Sequence, residues 1–131
     1  MPLVVVTINP VVILKGEDTI QQDSDLNRLT EMLQVIVAEE LSTQEDEGGT
    51  LTPEEIEVRV RKRGPYDRGF PNLGIEVFAN SNPGRKRNVQ ERSDRIAERV
   101  KRLSIVNSPH VCGNGTSFVW IFLGTAGFSS L

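Results

Sequence analysis

Two spacings of apolar residues alternate along this chain, and they limit its possible folds more than any other feature of the sequence. The β-branched run Leu3–Ile8 is typical of a strand. Over residues 24–42, leucine, isoleucine and valine recur three and four positions apart, which predicts an amphipathic helix. Residues 55–63 follow a proline that favours one helical turn, and they then alternate apolar and charged side chains as strands do. The first half therefore predicts a strand, a helix and a strand.

The second half repeats the same order. Residues 74–79 are typical of a strand, and residues 83–103 carry an apolar stripe at helical spacing. The continuous apolar run over residues 117–123 suits a buried strand. Residues 64–71 are rich in glycine and proline and predict a loop. We expect this loop to join the strands on either side of it into a wide antiparallel hairpin.

The expected fold is a single α/β domain over residues 1–131. It contains two right-handed β-α-β units, at about residues 2–63 and 74–123, and a flexible tail at residues 124–131. Such units place four strands in one sheet and both helices on one face of it. The other face then has no cover within the chain. Because that face is apolar, we expect the protein to form oligomers.

Composition excludes several classes of protein. Hydrophobic residues make up 37% of the chain and charged residues 25%, which is a globular balance rather than a disordered one. No apolar run approaches the roughly 20 residues that cross a bilayer, and the apolar start is too short for a secretory signal. His110 and Cys112 are the only residues of their kinds, which excludes an internal disulfide and is too few for a zinc site. We expect a cytoplasmic protein without a membrane segment.

Charge is divided unevenly along the chain. Residues 1–58 contain two basic and 13 acidic residues, whereas residues 59–131 contain 13 basic and five acidic ones. The two parts carry formal charges of about −11 and +8, which add to −3. This asymmetry leaves open an anion-binding face, contact with nucleic acid, or complementary faces that meet in an oligomer. A further explanation is that each part only solvates its own surface.

Several short segments resemble the tautomerase superfamily. Pro2 follows Met1, and Pro53–Val60 is similar to that family's passage from helix to strand. Gly74–Asn80 followed by Pro83–Lys86 is similar to its strand, turn and helix start. The length is close to that of longer members such as 5-carboxymethyl-2-hydroxymuconate isomerase. The resemblance implies a homotrimer that isomerises a small unsaturated or enol carboxylic acid without a cofactor.

The resemblance also implies which residues act. In that family a terminal proline is the general acid or base, since a secondary amine that is buried beside cations has a pKa shifted toward neutrality. The resemblance gives this role to Pro2. Arginines bind the substrate carboxylate, and an aromatic side chain forms a wall of the site. The residues that match these binding roles are Arg59, Arg61, Arg85, Tyr66 and Phe70.

Two features leave other functions open. A retained Met1 acylates Pro2, and Pro10 fits the family's spacing between strand start and helix better, although its amide nitrogen has no basic lone pair. A catalytically inactive oligomer that serves as an interaction protein is therefore one alternative. The other is nucleic-acid binding by the basic helix at residues 85–102, although this segment lacks aromatic residues for base stacking.

Overall fold

Four strands and three α-helices are formed by the residues that the computed structural model describes, which are 2–8, 17–43, 49–62, 73–80, 83–103 and 117–124. In chain order the elements are β1 (Leu3–Ile8), α1 (Glu17–Leu41), β2 (Glu57–Lys62), β3 (Leu73–Asn80), α2 (Pro83–Arg87), α3 (Val89–Lys101) and β4 (Ser117–Gly124). One turn of 3-10 helix, Pro53–Glu55, leads into β2 as the sequence predicts.

The four strands form one mixed sheet in the order β2-β1-β3-β4. Strands are parallel within each unit, β1 with β2 and β3 with β4, and the antiparallel pair of β1 and β3 joins the units. Because α1 and α3 contact each other, both helices lie on the same face of the sheet. This is the predicted α/β arrangement of two β-α-β units.

The predicted hairpin between the second and third strands is wrong. β2 and β3 pair with opposite edges of β1, so they are not neighbours in the sheet. The physical reason is burial. β2 carries charged side chains and is largely exposed, which suits an edge strand, whereas β1 and β3 are apolar enough for the centre.

Two helices differ in extent from the prediction. α1 begins at Glu17 rather than at residue 24. The prediction missed its first turns because they are polar and lack the apolar spacing that marks the rest of the helix. The helix predicted over residues 83–103 is interrupted at Asn88 and forms α2 and α3 instead. None of the helices formed by the described residues is long and apolar enough to span a membrane.

The hydrophobic core lies between the helices and one face of the sheet. The predicted apolar stripe of α1 is confirmed, because its leucines and Ile36 face this core. The core residues that are at most 2% exposed are Val4, Val6, Ile8, Leu29, Leu33, Ile36, Val37, Ala38, Leu41, Ile56, Leu73, Ile75, Val77 and Ile96.

No described helix covers the opposite face of the sheet, which we call the helix-free face. Strand alternation places on it Leu3, Val5, Thr7, Glu57, Arg59, Arg61, Gly74, Glu76, Phe78, Phe118, Trp120 and Phe122. Trp120 is 51% exposed and Phe122 is 44% exposed. The prediction that the last strand is buried is therefore wrong for the single chain, since β4 lies at an edge and carries these aromatic residues on the uncovered face.

Two buried arginines close the C-terminal end of α1. A helix leaves its last carbonyls without partners, and α1 has no basic residue in its own last turn. Arg85 donates from Nε to the Leu41 carbonyl at 2.9 Å and from Nη1 to the Asn80 carbonyl at 2.9 Å. Arg92 donates to two further carbonyls at this helix end. The second unit therefore satisfies carbonyls of the first, at the negative end of the helix dipole.

Ion pairs between α1 and α3 bring the acidic and basic parts of the chain together. Arg95 Nε lies 2.8 Å from Glu40 Oε2, and Arg99 Nη1 lies 2.7 Å from Glu39 Oε2. Complementary charges thus meet within one chain. Ion pairs that water reaches, such as the pair of Arg99 and Glu39, contribute at most about 1 kcal/mol each to the stability of the fold.

We expect Arg85→Ala to lower the free energy of unfolding by about 2–3 kcal/mol, because it removes two charge-assisted hydrogen bonds to main-chain carbonyls. Urea unfolding followed by circular dichroism measures this change. Lys86→Ala is the matched control, since Lys86 is the exposed neighbour of Arg85 in α2, and it should cost less than about 0.5 kcal/mol. Equal stability of the two variants would contradict this role of Arg85.

Candidate active site

Pro2 is buried and lies immediately before β1. Its carbonyl oxygen accepts a hydrogen bond from the N–H of Glu57 at 3.1 Å, so the start of β2 holds it in place. Leu3 lies beside Phe78 in the sheet register, which puts Pro2 level with Ala79. Pro2 therefore lies at the end of the sheet where β1 and β2 begin and β3 and β4 finish. We call this the Pro2 end.

The Arg59 side chain turns toward the Pro2 end along the helix-free face. Its backbone lies beside Val5, about 10 Å along the strand from Pro2. Its Nε donates to Glu57 Oε1 at 2.9 Å, and its Nη2 lies 2.9 Å from the same oxygen. Because Glu57 lies beside Leu3, the guanidinium is closer to Pro2 than the Arg59 backbone is. Both side chains are well exposed, so another carboxylate can displace Glu57 at little cost.

Arg61 shares the helix-free face with Arg59, as predicted, but the structure does not bring it to Pro2. It lies beside Thr7, roughly 16 Å along β1 from Pro2. Its Nε donates to the Thr7 hydroxyl at 3.0 Å, and Thr7 is only 2% exposed. Arg61 is thus held at the opposite end of β1 from the candidate proline.

Arg85 differs from the sequence-based expectation that it contacts the substrate. Arg85 is only 5% exposed, and its guanidinium binds the carbonyls of Leu41 and Asn80. Asn80 follows Ala79, so Arg85 brings a buried positive charge to the Pro2 end. Its geometry supports an electrostatic and structural role, and substrate contact by Arg85 stays an untested prediction.

An apolar cleft of about 520 Å³ opens at the Pro2 end of the sheet. Its lining residues are Leu3, Phe78, Ala79, Asn80, Phe122, Leu123 and Gly124. Leu3 directly follows Pro2, so the cleft begins one residue from the candidate proline. Small-molecule sites are commonly concave and mostly apolar with a few polar groups, as this cleft is.

Several residues of the sequence hypothesis lie outside the described residues, namely Pro10, Tyr66, Phe70, His110 and Cys112. The aromatic wall expected from the loop therefore stays a prediction. Within the described part of the chain, no three His, Cys, Asp or Glu side chains are grouped so that they could hold a metal ion.

Thr7 and the cleft have no counterpart in the sequence-based predictions. Thr7 is the only polar residue in the run Leu3–Ile8, and that interruption was the available signal. No local pattern in the sequence predicts the cleft. Phe78 and Phe122 come from different strands, and only the sheet register stacks their rings at a centroid distance of 5.0 Å.

Comparison with known proteins finds similarity in structure only. No protein-family model matches the sequence, and no curated protein matches it significantly. A macrophage migration inhibitory factor-like protein from Entamoeba histolytica is 12% identical, with a TM-score of 0.55 over 98% of this chain and 95% of its own. A native fused 4-OT is 13% identical, with a TM-score of 0.55 over 94% of this chain and 87% of its own.

A third solved structure is N1, a member of the cis-3-chloroacrylic acid dehalogenase family. It is 10% identical, with a TM-score of 0.50 over 94% of this chain and 73% of its own. These neighbours are members of the tautomerase superfamily, so the chain has the tautomerase-like fold that its sequence resembles. At 10% to 13% identity the likeness establishes the fold alone.

Proposed function

We propose that this protein is a cofactor-independent tautomerase or isomerase that acts on a small unsaturated or enol carboxylic acid. Pro2 is its general acid and base, and Arg59 binds the substrate carboxylate. The observation that carries the proposal is the position of Pro2, which is buried one residue from an apolar cleft in a tautomerase-like fold. The activity requires a free amine on Pro2 and therefore the removal of Met1.

The chemistry needs a neutral amine at Pro2. Such an amine accepts the proton of the enol hydroxyl and delivers it to the neighbouring carbon, which leaves the keto acid. Burial of Pro2 and the positive charge of Arg85 both disfavour the protonated amine. The Arg59 guanidinium offers paired N–H donors to the substrate carboxylate, and its charge stabilises the enolate oxygen in the transition state.

The proposal includes self-association. The helix-free face supports it, because its exposed aromatic residues are not covered by any segment that the structure describes. A homotrimer is the assembly that the family resemblance implies. We place the protein in the cytoplasm on the sequence features given above.

A second candidate is a catalytically inactive oligomer that serves as an interaction protein. The observation that favours it is the ion pair between Glu57 and Arg59, which neutralises the proposed carboxylate-binding group. In this case the helix-free face is the functional surface, and Pro2 has only a structural role at the start of β1.

Nucleic-acid binding by residues 85–102 has less support. Arg85 and Arg92 are buried. Arg95, Arg99 and Arg102 form ion pairs with glutamates. These arginines therefore do not present the cluster of available cations that binding to a phosphate backbone requires.

The first test of the proposed activity combines intact mass with substitution. In a preparation that lacks Met1, we expect Pro2→Ala to abolish the conversion of an enol acid to its keto form, followed by ultraviolet absorbance. Arg59→Ala should lower kcat/KM about tenfold or more, because it removes a paired, charge-assisted contact. Lys62→Ala is the matched control, since Lys62 lies on the same strand but on the helix side of the sheet. Equal rates for wild type and Pro2→Ala would contradict the proposal.

Glu57 should compete with the substrate for Arg59. We expect Glu57→Gln to lower KM about two- to fivefold at unchanged kcat, since exposed ion pairs contribute roughly 0.5–1 kcal/mol. Steady-state kinetics with the same enol acid measures this effect. Glu54→Gln is the control, because Glu54 is exposed in the preceding 3-10 turn. A rise in KM for Glu57→Gln would instead show that Glu57 positions Arg59 for binding.

A further inference from the structure

One polar side chain interrupts the apolar lining of the cleft at the Pro2 end. Among the described residues that line this cleft, Asn80 is the only one whose side chain has hydrogen-bonding groups. Small-molecule sites usually combine an apolar lining with a few polar groups that fix the orientation of the ligand. A single amide in such a lining selects the part of a ligand that binds there, because the other positions favour carbon.

Asn80 lies close to Pro2. β1 and β3 are neighbours, and their register places Ala79 beside Pro2 and Asn80 one residue further along. One strand spacing and one residue therefore separate the Cα atoms of Pro2 and Asn80, which is roughly 6 Å. Asn80 is exposed and lies two positions after Phe78, so both residues are on the helix-free face of β3. The amide thus lies beside the start of β1.

The main chain of Asn80 is fixed, whereas its side chain is available to a ligand. Arg85 is buried and donates from Nη1 to the Asn80 carbonyl at 2.9 Å. None of the residues that the structure describes forms a hydrogen bond with the side-chain amide of Asn80. A donor that is held in position by its own backbone loses little freedom when a ligand binds, which favours recognition and catalysis.

Empty space lies directly beside this amide. Gly124 is the register partner of Asn80 on β4, and it lines the same cleft. The nearest described atom to a Cβ placed on Gly124 is the Ala79 carbonyl oxygen, at 4.0 Å. The fold therefore has room for a side chain at this position, but the residue there is glycine. A ligand can use this room to reach Asn80.

We infer that Asn80 binds the reacting oxygen of the substrate, with its Nδ2 donating a hydrogen bond to that oxygen. The inference rests on the proposed tautomerase activity and adds a residue to it. When Pro2 takes the proton of the enol hydroxyl, negative charge develops on this oxygen and the hydrogen bond becomes stronger. When the neighbouring carbon takes the proton from Pro2, the oxygen becomes a neutral carbonyl. Asn80 therefore stabilises the transition state more than the substrate.

The strand order arranges the polar groups around the substrate. β1 lies between β2 and β3, so Pro2 has Arg59 on one side and Asn80 on the other. Arg59 receives the carboxylate and Asn80 receives the oxygen. The apolar remainder of the substrate packs against the stacked rings of Phe78 and Phe122. This arrangement predicts a substrate that carries its oxygen near the carboxylate and an apolar chain beyond both.

Two acids that differ only in this oxygen test the inference. The probes are 2-oxohexanoate and hexanoate, and ligand-observed NMR gives the Kd of each. We expect the wild type to bind 2-oxohexanoate about three- to tenfold more tightly, because it gains one neutral hydrogen bond. Asn80→Leu should remove this preference without weakening hexanoate, since leucine is similar in size to asparagine and has no donor.

The same variant tests the role of Asn80 in the reaction. In the enol-acid assay Asn80→Leu should lower kcat about a hundredfold, which is typical when one donor to a developing oxyanion is removed. Asn27→Leu is the matched control, since Asn27 is exposed on α1, on the other face of the sheet. It should leave kcat and both Kd values unchanged. Thermal melting shows that each variant folds.

A side chain placed beside Asn80 gives a second readout. Gly124→Ala should raise the Kd of both acids by a similar factor, about threefold or more, because it fills part of the cleft and leaves the amide in place. The space around this position allows the variant to fold. A loss that affects both acids equally is distinct from the selective loss that we expect for Asn80→Leu.

The outcomes separate this inference from the proposed activity. Equal affinity of the wild type for the two acids, binding of neither acid, or a preference that survives in Asn80→Leu would each overturn the inference. An unchanged kcat in Asn80→Leu or unchanged Kd values in Gly124→Ala would also overturn it. The binding measurements need no turnover. A wild type that prefers 2-oxohexanoate but does not convert the enol acid would therefore refute the activity and leave Asn80 as a binding residue.

Discussion

The carbonyls at the C-terminal end of α1 depend on arginines that belong to the other half of the chain. Arg85 and Arg92 are buried there and donate to main-chain oxygens that have no donor in the last turn of α1. A buried cation without acceptors and a helix end without donors are both unfavourable, so these contacts stabilise the packing of the two units against each other. Both helices lie on one face of the sheet, and no described helix covers the other face.

The side chains on the helix-free face differ in kind from one strand to the next. β2 at one edge carries Glu57, Arg59 and Arg61, the central strands are mostly apolar, and β4 at the other edge carries three aromatic residues. The cleft opens at the Pro2 end of this face, and Glu76 lies nearer the middle. The cleft and the exposed aromatic residues therefore share one face of the sheet.

Distance along β1 separates two arginines that look equivalent in the sequence. Arg59 turns toward Glu57 and the Pro2 end, whereas Arg61 binds Thr7 roughly 16 Å from Pro2. The first is exposed and paired with the carboxylate of Glu57. The second is held by a neutral, buried hydroxyl. The two side chains therefore have different partners at opposite ends of the same face.

The sequence alone determined the elements, because helix and strand periods depend on residues a few positions apart. It predicted the order of strands and helices, the apolar stripe of α1 and the uncovered face, and it placed Pro2 at a strand start. The sequence did not predict the strand order. β2 and β3 pair with opposite edges of β1, and this arrangement depends on which strand tolerates exposure. In the sequence, Arg85 matched a substrate-binding position of the tautomerase superfamily, and Arg92 was one of the basic residues of the helix at residues 85–102. Only tertiary structure brings them to the end of α1, because a long-range contact leaves no periodic trace in the sequence.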